Sequence, residues 1–224
     1  MFLRTELVSS ATNVEELAKL VGSSVTKSCA LDPLPGRLLK NCIDLLLPII
    51  VNVVNLILEK GTVSPNLKNA ILSPILKKPS LCQDTLSNYR PISHLSFVSK
   101  CIEKVVADRI KVYLQNENLD ELFQSAYKKG HSTETALLRV HNDILQAIDS
   151  KGCVILLLLD LSTAFDTVDH TILLKRLYNR FGFDGTALEC LISYLLDRKQ
   201  SVLIEGVKSS ESDVLYGVPQ GSVL

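Results

Sequence analysis

A carboxylate at the end of an apolar run is the pattern in this chain best suited to chemistry. Val154 to Leu159 (VILLLL) leads straight into Asp160, and Leu161-Ser-Thr-Ala-Phe165-Asp166-Thr-Val-Asp169-His170 follows. An unbroken apolar run without alternation predicts a strand buried on both faces, spanning roughly 20 Å. An anion left where such a strand leaves the core is costly unless a cation or a proton offsets it. Mg²⁺ does so, because it takes carboxylate and phosphate oxygens together. The residues alone therefore point to Mg²⁺-dependent phosphoryl transfer, with simple capping of the next turn as the competing role for Asp160. Phe165 is placed to form the floor under a nucleotide sugar, where a ring would collide with a 2′-hydroxyl; core packing is its alternative. Asp166 and Asp169 are expected to satisfy backbone donors in the turn rather than to bind metal.

Two other phosphate chemistries fit less well. An apolar strand ending in Asp also occurs in nucleotide hydrolases, but the accompanying Gly-x-x-x-x-Gly-Lys-Ser/Thr loop is absent. Haloacid-dehalogenase phosphatases place a second Asp two residues after the first, and Ser162 stands there.

The chain has 224 residues, 46% of them hydrophobic, with no net charge. That length and composition suit one or two folded domains and exclude extensive disorder. The charges are unevenly spread. Residues 66–140 hold eleven basic against seven acidic side chains, and residues 141–224 hold seven against eleven. A basic middle beside an acidic end suits a polyanion gripped next to a metal-binding carboxylate, although ordinary solvated surface gives the same count. The six cysteines form no Cys-x-x-Cys pair, so neither a zinc site nor a disulfide framework is expected. The N-terminal MFLRTELVSS lacks the apolar core of a signal peptide. Leu45 to Leu58 is too short to span a bilayer and carries Pro48, Asn52 and Asn55. An intracellular protein of cytoplasm or nucleus, with no membrane partner, is expected.

The elements that must position Asp160 are legible from periodicity. Helices are expected over 14–28, over Arg37 to Lys60 as one or two pieces stopped by Gly61, and over Val98 to Gln115. The polar face of the last is expected to carry Lys100, Glu103, Lys104, Asp108 and Lys111. Another helix is expected over Thr133 to Asp149, capped by Ser132, with Ala136, Leu137, Val140, Ile144, Leu145 and Ile148 as its buried stripe. Asp169 is expected to cap a helix over Thr171 to Phe181, and Ala187 to Asp197 forms another. Leu67 to Leu76, Tyr89 to Ser93 and Gln200 to Glu205 read as extended, with Pro91 holding Arg90 out of the helical region. Leu215 to Gly221 reads as a loop. Helices and strands mixed without strict alternation give an α+β fold.

These stretches, taken in order, resemble a reverse transcriptase of the LINE class, the retrotransposons without long terminal repeats. Ser28-Cys-Ala-Leu-Asp32-Pro-Leu-Pro35 and Leu67 to Lys78 resemble the family's lead-in region. Asn88-Tyr-Arg90-Pro-Ile-Ser93 with Ser99-Lys-Cys-Ile-Glu103 resembles the fingers motif, and Gln124 to Leu137 the block after it. Leu159-Asp160 through Asp169-His170 resembles the palm's first carboxylate motif, and Tyr216-Gly-Val-Pro-Gln220-Gly221-Ser-Val-Leu224 the loop beside the nucleotide.

The resemblance implies fingers and an incomplete palm over 66–224, preceded by a helix-rich lead-in over 1–65. It implies that Asp160 ligates both Mg²⁺ ions with help from the Leu161 carbonyl, clamping the attacking and leaving oxygens of an in-line transfer. Phe165 would be the sugar gate. Arg90, with Lys77 or Lys78, would hold the triphosphate. Gln220 and Gly221 would meet the nucleotide or template. RNA template, DNA primer and deoxynucleoside triphosphates are the implied partners.

The family's aromatic-x-Asp-Asp hairpin is absent, since no Asp-Asp dipeptide occurs, and Cys190 stands where relatives commonly carry Trp. The chain thus reads as truncated before the second carboxylate motif and the thumb, and inactive as a polymerase alone. Two alternatives stand beside that reading: a non-catalytic nucleic-acid-binding remnant using Lys77, Lys78, Arg90, Lys128 and Lys129, and a protein-interaction module.

Overall fold

The computed structural model describes residues 10–22, 29–161 and 163–224. The expectations for 1–9, 23–28 and Ser162, including the tail of the first helix, lie outside the described residues. The element order is α1 (Val14–Gly22), α2 (Gly36–Asn41), α3 (Ile43–Lys60), β1 (Asn69–Leu76), β2 (Tyr89–His94), α4 (Phe97–Asn116), α5 (Thr133–Asp149), α6 (His170–Asn179), α7 (Gly185–Leu195), β3 (Arg198–Ile204), β4 (Val207–Lys208) and β5 (Ser212–Val214). The described parts of 1–117 and 163–224 form one compact unit, and those of 118–162 form another.

In the larger unit α3 buries Leu47, Ile50, Val51, Val54, Ile57 and Leu58, one helical face. It packs against α1, α4 and α7, while α1 also reaches α4 and α6 packs on α7. Gly61 ends α3 in the left-handed region at φ +63. A Cβ there would lie 2.9 Å from the Glu189 Cβ on α7. Glycine therefore both stops α3 and lets α7 come close. Ser96 caps α4 by accepting the Ser99 N–H at 3.3 Å.

Burial of α4 differs from the amphipathic expectation. Glu103 and Arg109 are buried along with Cys101, Ile102, Val105, Val106 and Tyr113. Glu103, expected on the solvated face, is 1% exposed. Helices cover this element from more than one side, so a single apolar stripe does not describe it.

The five strands among the described residues form one sheet in the order β2-β1-β3-β4, with β5 also paired to β3. β1 runs antiparallel to β2 from Ile71↔His94 to Leu76↔Tyr89, and parallel to β3 from Asn69↔Lys199 to Leu72↔Val202. β3 turns into β4 through Glu205 and Gly206, both left-handed at φ +49 and +82. Two positive φ values in a two-residue hairpin are those of a type I′ turn. β5 then rejoins β3 at Arg198↔Val214. The architecture is α+β, as expected.

In the smaller unit α5 spans the expected residues. Ser132 and Thr135 form a reciprocal capping box, each side chain taking the other's backbone N–H. Two expectations fail here. The α5 stripe is not buried: no residue of the helix is, and Leu137, Val140, Leu145 and Ile148 are exposed. The strand expected over Val154 to Asp160 is absent too. Residues 152–161 are irregular, with Ile155 94% and Leu158 83% exposed. A strand needs a neighbouring edge to take its N–H and C=O groups, and among the described residues no strand pairs with this run. Among the described residues no helix is long and apolar enough to cross a membrane.

Candidate functional site

Two distant stretches of the larger unit close on each other. The first is the turn after Thr163, which stands at φ +54 and whose carbonyl accepts the Asp166 and Thr167 N–H groups. Asp169 ends it by capping α6, accepting the Ile172 N–H at 3.0 Å. The second is the Tyr216 to Gly221 loop leaving β5. The Gly217 N–H donates to the Val168 carbonyl, and the Val218 N–H to the Phe165 carbonyl, each at 2.8 Å. The buried His170 ring completes the clamp, its Nε2 lying 2.7 Å from the Gly217 oxygen. A carbonyl only accepts, so this nitrogen carries the proton.

Only glycine fits at the clamp. Gly217 stands at φ +82, and a Cβ there would lie 2.8 Å from the carbonyl oxygens of both Phe165 and Asp166. The loop then reaches back: Gln220 Nε2 donates to Asp166 Oδ1 at 2.7 Å. Asp166 thus holds a side-chain donor rather than the expected backbone one. On β2 the Ser93 N–H donates to the Gln220 carbonyl at 2.7 Å. Gly221, at φ +99, lies against Ile92 and Ser93.

A cavity of about 230 Å³ opens between these pieces, lined in part by Pro91, Ser93, Asp166, Arg198, Tyr216 and Gln220. Arg198 is 2% exposed. Its guanidinium lies 4.7 Å over the Tyr194 ring, and Nη1 donates to the Tyr194 carbonyl at 3.0 Å. Among the described residues Nη2 has no hydrogen-bond partner. Behind it, Glu103 accepts the Tyr194 hydroxyl at 2.7 Å and the Val223 N–H at 3.0 Å. Burial pushes the Glu103 carboxyl up, and burial together with the neighbouring Glu103 pushes the Tyr194 hydroxyl up.

The expected site residues divide accordingly. Phe165, Gln220 and Gly221 meet in one place, with Phe165 46% exposed. Arg90 is exposed on β2, paired with Ile75 across the ladder and next to the cavity residue Pro91. Lys77 and Lys78 are exposed beyond the end of β1, and Lys77 Nζ donates to the Ser87 carbonyl at 2.8 Å. Lys77 stands five residues past the cavity residue Leu72, roughly 16 Å along an extended strand. Asp160 and Leu161 belong to the smaller unit, where both are exposed in irregular backbone.

The residues expected to hold magnesium are one carboxylate, Asp160, and the Leu161 carbonyl. Among the described residues no three His, Cys, Asp or Glu side chains gather to hold a metal. That is a partial ligand set for an ion that favours six oxygens, and no reaction step is derived through it.

Sequence reasoning missed Glu103, Tyr194, Arg198 and His170. One signal was available for Glu103: with Ser99, Val106, Ile110 and Tyr113 it follows a three-and-four spacing on one line of α4, so an acid sits in a mostly apolar row.

The chain matches the family described as "Reverse transcriptase (RNA-dependent DNA polymerase)" over residues 75–224. It is 31% identical over 219 residues to the RNA-directed DNA polymerase from mobile element jockey of Drosophila melanogaster, covering 96% of this chain and 23% of that protein. It is 36% identical over 150 residues to the D. melanogaster protein named "Probable RNA-directed DNA polymerase from transposon X-element", covering 67% of this chain and 16% of that one. The jockey polymerase of Drosophila funebris is 30% identical over 219 residues, 97% of this chain and 24% of that protein. The chain therefore spans less than a quarter of the length of these curated relatives.

Proposed function

The chain belongs to the reverse transcriptase (RNA-dependent DNA polymerase) family, in its LINE class, and from that premise we propose that it is the fingers and part of the palm of a retrotransposon polymerase. Residues 66–224 are the polymerase portion in this reading and 1–65 a helical lead-in. The observation that carries it is the joining of the Phe165–Asp166 turn to the Gln220 loop through Gln220 Nε2 and the Gly217 clamp. In this reading the two joined segments form one wall of the nucleotide pocket.

In the complete protein, deoxynucleotides would be added to a DNA primer on an RNA template. Phe165 would lie under the deoxyribose and exclude a 2′-hydroxyl. Gln220 and Gly221 would face the nucleotide or the template, where glycine lets backbone approach closely. Arg90 would hold triphosphate oxygens through its forked donors, with Lys77 or Lys78 supplying a further positive charge. Magnesium, when bound, stabilises charge on the attacking and leaving oxygens. The Asp160 carboxylate and Leu161 carbonyl would be this chain's share of its ligands.

Primer extension on an RNA template tests the reading. These 224 residues contain no Asp-Asp pair, and one carboxylate does not hold two magnesium ions against their repulsion. No extension is expected from this chain alone. Extension is expected from a chain lengthened to include an aromatic-x-Asp-Asp segment, and Asp160→Asn should abolish it. Extension by the 224-residue chain would overturn the inactivity, and a silent lengthened chain would overturn the polymerase reading.

A second reading, nucleic-acid binding without catalysis, is favoured by one observation: Lys78 and Arg90 stand exposed at the same end of the β1–β2 pair. It predicts salt-dependent RNA binding that survives Asp160→Asn. That binding should weaken when Lys77, Lys78, Arg90, Lys128 and Lys129 become alanine.

A further inference from the structure

We infer that Glu103 is a positioning residue for the Gln220 loop: its buried carboxylate, held by the Tyr194 hydroxyl, takes the Val223 N–H and so sets where the Gln220 carboxamide stands. The inference rests on the reading of Gln220 given above, as the residue that meets nucleotide or template.

The loop is anchored on both sides of Gln220. Before it, Gly217 and Val218 are tied to the Phe165–Val168 turn. At Gln220 itself the Ser93 N–H takes the carbonyl. Beyond it the chain turns, the Ser222 N–H donating to Pro219, and the Val223 N–H reaches Glu103 Oε2 at 3.0 Å. Without Glu103 the Val223 N–H loses its acceptor, and the residues after Gln220 are left with the Ser222–Pro219 turn, the Ser222 side chain on Tyr194 and the packing of Gly221 against Ile92 and Ser93.

Volume does not explain an acid at this position. A leucine or glutamine fills much the same space, whereas a carboxylate in apolar surroundings is costly. What the carboxylate adds is two acceptor oxygens for two donors on different elements. One belongs to α7, through Tyr194, and the other to the loop. Arg198 supports the arrangement from below. It stacks on the Tyr194 ring and donates to the Tyr194 carbonyl, which fixes the hydroxyl that holds Glu103. Its positive charge also offsets the buried anion, as does that of Lys100.

The experiment uses the 224-residue chain, with a fluorescently labelled RNA–DNA template–primer duplex as the binding probe. Glu103→Leu removes both acceptors. Glu103→Gln keeps an oxygen for the Val223 N–H and offers the Tyr194 hydroxyl a donor in exchange. Val223→Pro removes the N–H and leaves both Glu103 acceptors in place, although it also fixes φ at 223 and restricts Ser222; the Val223 side chain is exposed. Glu103→Leu and Val223→Pro should each speed amide exchange at Ser93 roughly tenfold, the change implied by losing a hydrogen bond to a charged acceptor. Exchange within α3 should stay as it was. Each should weaken probe binding as much as Gln220→Ala does, with no further loss in combination with Gln220→Ala. Glu103→Gln should restore both readouts.

If Glu103→Leu fails to fold, Val223→Pro carries the test from the loop side. Unchanged Ser93 exchange in Val223→Pro overturns the inference. Faster exchange together with probe binding that ignores Gln220→Ala leaves the anchor standing and overturns the reading of Gln220.

Discussion

Gln220 Nε2 stands 2.7 Å from Asp166 Oδ1, across 54 residues of sequence. This contact closes the junction that the Gly217 clamp begins, and it orients both side chains on the rim of the cavity. Because it is exposed, water competes for both partners. Gln220→Ala should therefore lower stability by no more than about 1 kcal/mol, measured as a shift in urea midpoint with unchanged slope. A larger loss would mean that the loop supports the fold rather than the site.

Gly217 and Gly206 share a φ of +82 but not their surroundings. Nothing lies within 4 Å of a Cβ added to Gly206, whereas one added to Gly217 would press on the Phe165 and Asp166 carbonyls. Gly206→Ala should cost about 1 kcal/mol through backbone strain alone. Gly217→Ala should cost about 2 kcal/mol more, because its neighbours are backbone atoms with little freedom to give. Paired denaturation curves of the two variants check the difference.

Glu103 makes stability depend on pH with a definite sign. Burial, against the pull of Tyr194, Val223, Arg198 and Lys100, holds its carboxyl above the ordinary value of 4.5. Between the unfolded and folded values the folded protein binds more protons than the unfolded chain. The contribution of Glu103 is thus fully present below the unfolded value and lost as pH rises through the folded one. Relative to Glu103→Gln, which does not titrate, the wild-type chain should lose stability over that window and then level off. Urea midpoints of both chains at a series of pH values read this directly, and a wild-type advantage that grows with pH would contradict it.

The exposed run at 154–159 makes a prediction of the opposite kind. Leu157 and Leu158 are exposed, so replacing both with lysine should change stability by less than about 0.5 kcal/mol. An uncharged, β-prone apolar segment with open backbone groups invites association between chains. Light scattering at rising concentration should therefore fall in the double variant while the unfolding curve stays in place.

Tyr113 on α4 ties that helix to the approach to α7. Its hydroxyl donates to the Phe181 carbonyl at 2.7 Å, and its ring meets Phe183 edge to face at 5.1 Å. Tyr113→Phe keeps the ring contact and leaves a carbonyl short of a donor, a loss of about 1 kcal/mol. Tyr113→Ala should cost about 3 kcal/mol or more. Thermal unfolding of the two variants separates the hydrogen bond from the packing.

Local information was enough for most elements. α5 follows from Ser132 at its cap and from apolar spacing, α6 from Asp169, the end of α3 from Gly61, and β2 from Pro91, because caps, turns and proline act through their own and adjacent backbone atoms. The order of motifs likewise made the family legible, with Phe165 and Gln220 as candidates. What the sequence did not decide were the properties that depend on a second surface. The apolar face of α5 and the run ahead of Asp160 read as buried, yet both are exposed, since burial and strand pairing require a partner that periodicity does not supply. Glu103 read as solvated and is buried, since α4 is covered on more sides than one stripe implies. The clamp of Gly217 on Phe165 and the reach of Gln220 to Asp166 arise only when the β5 loop folds back on a turn more than fifty residues earlier. Tertiary structure alone brings those two segments of chain together.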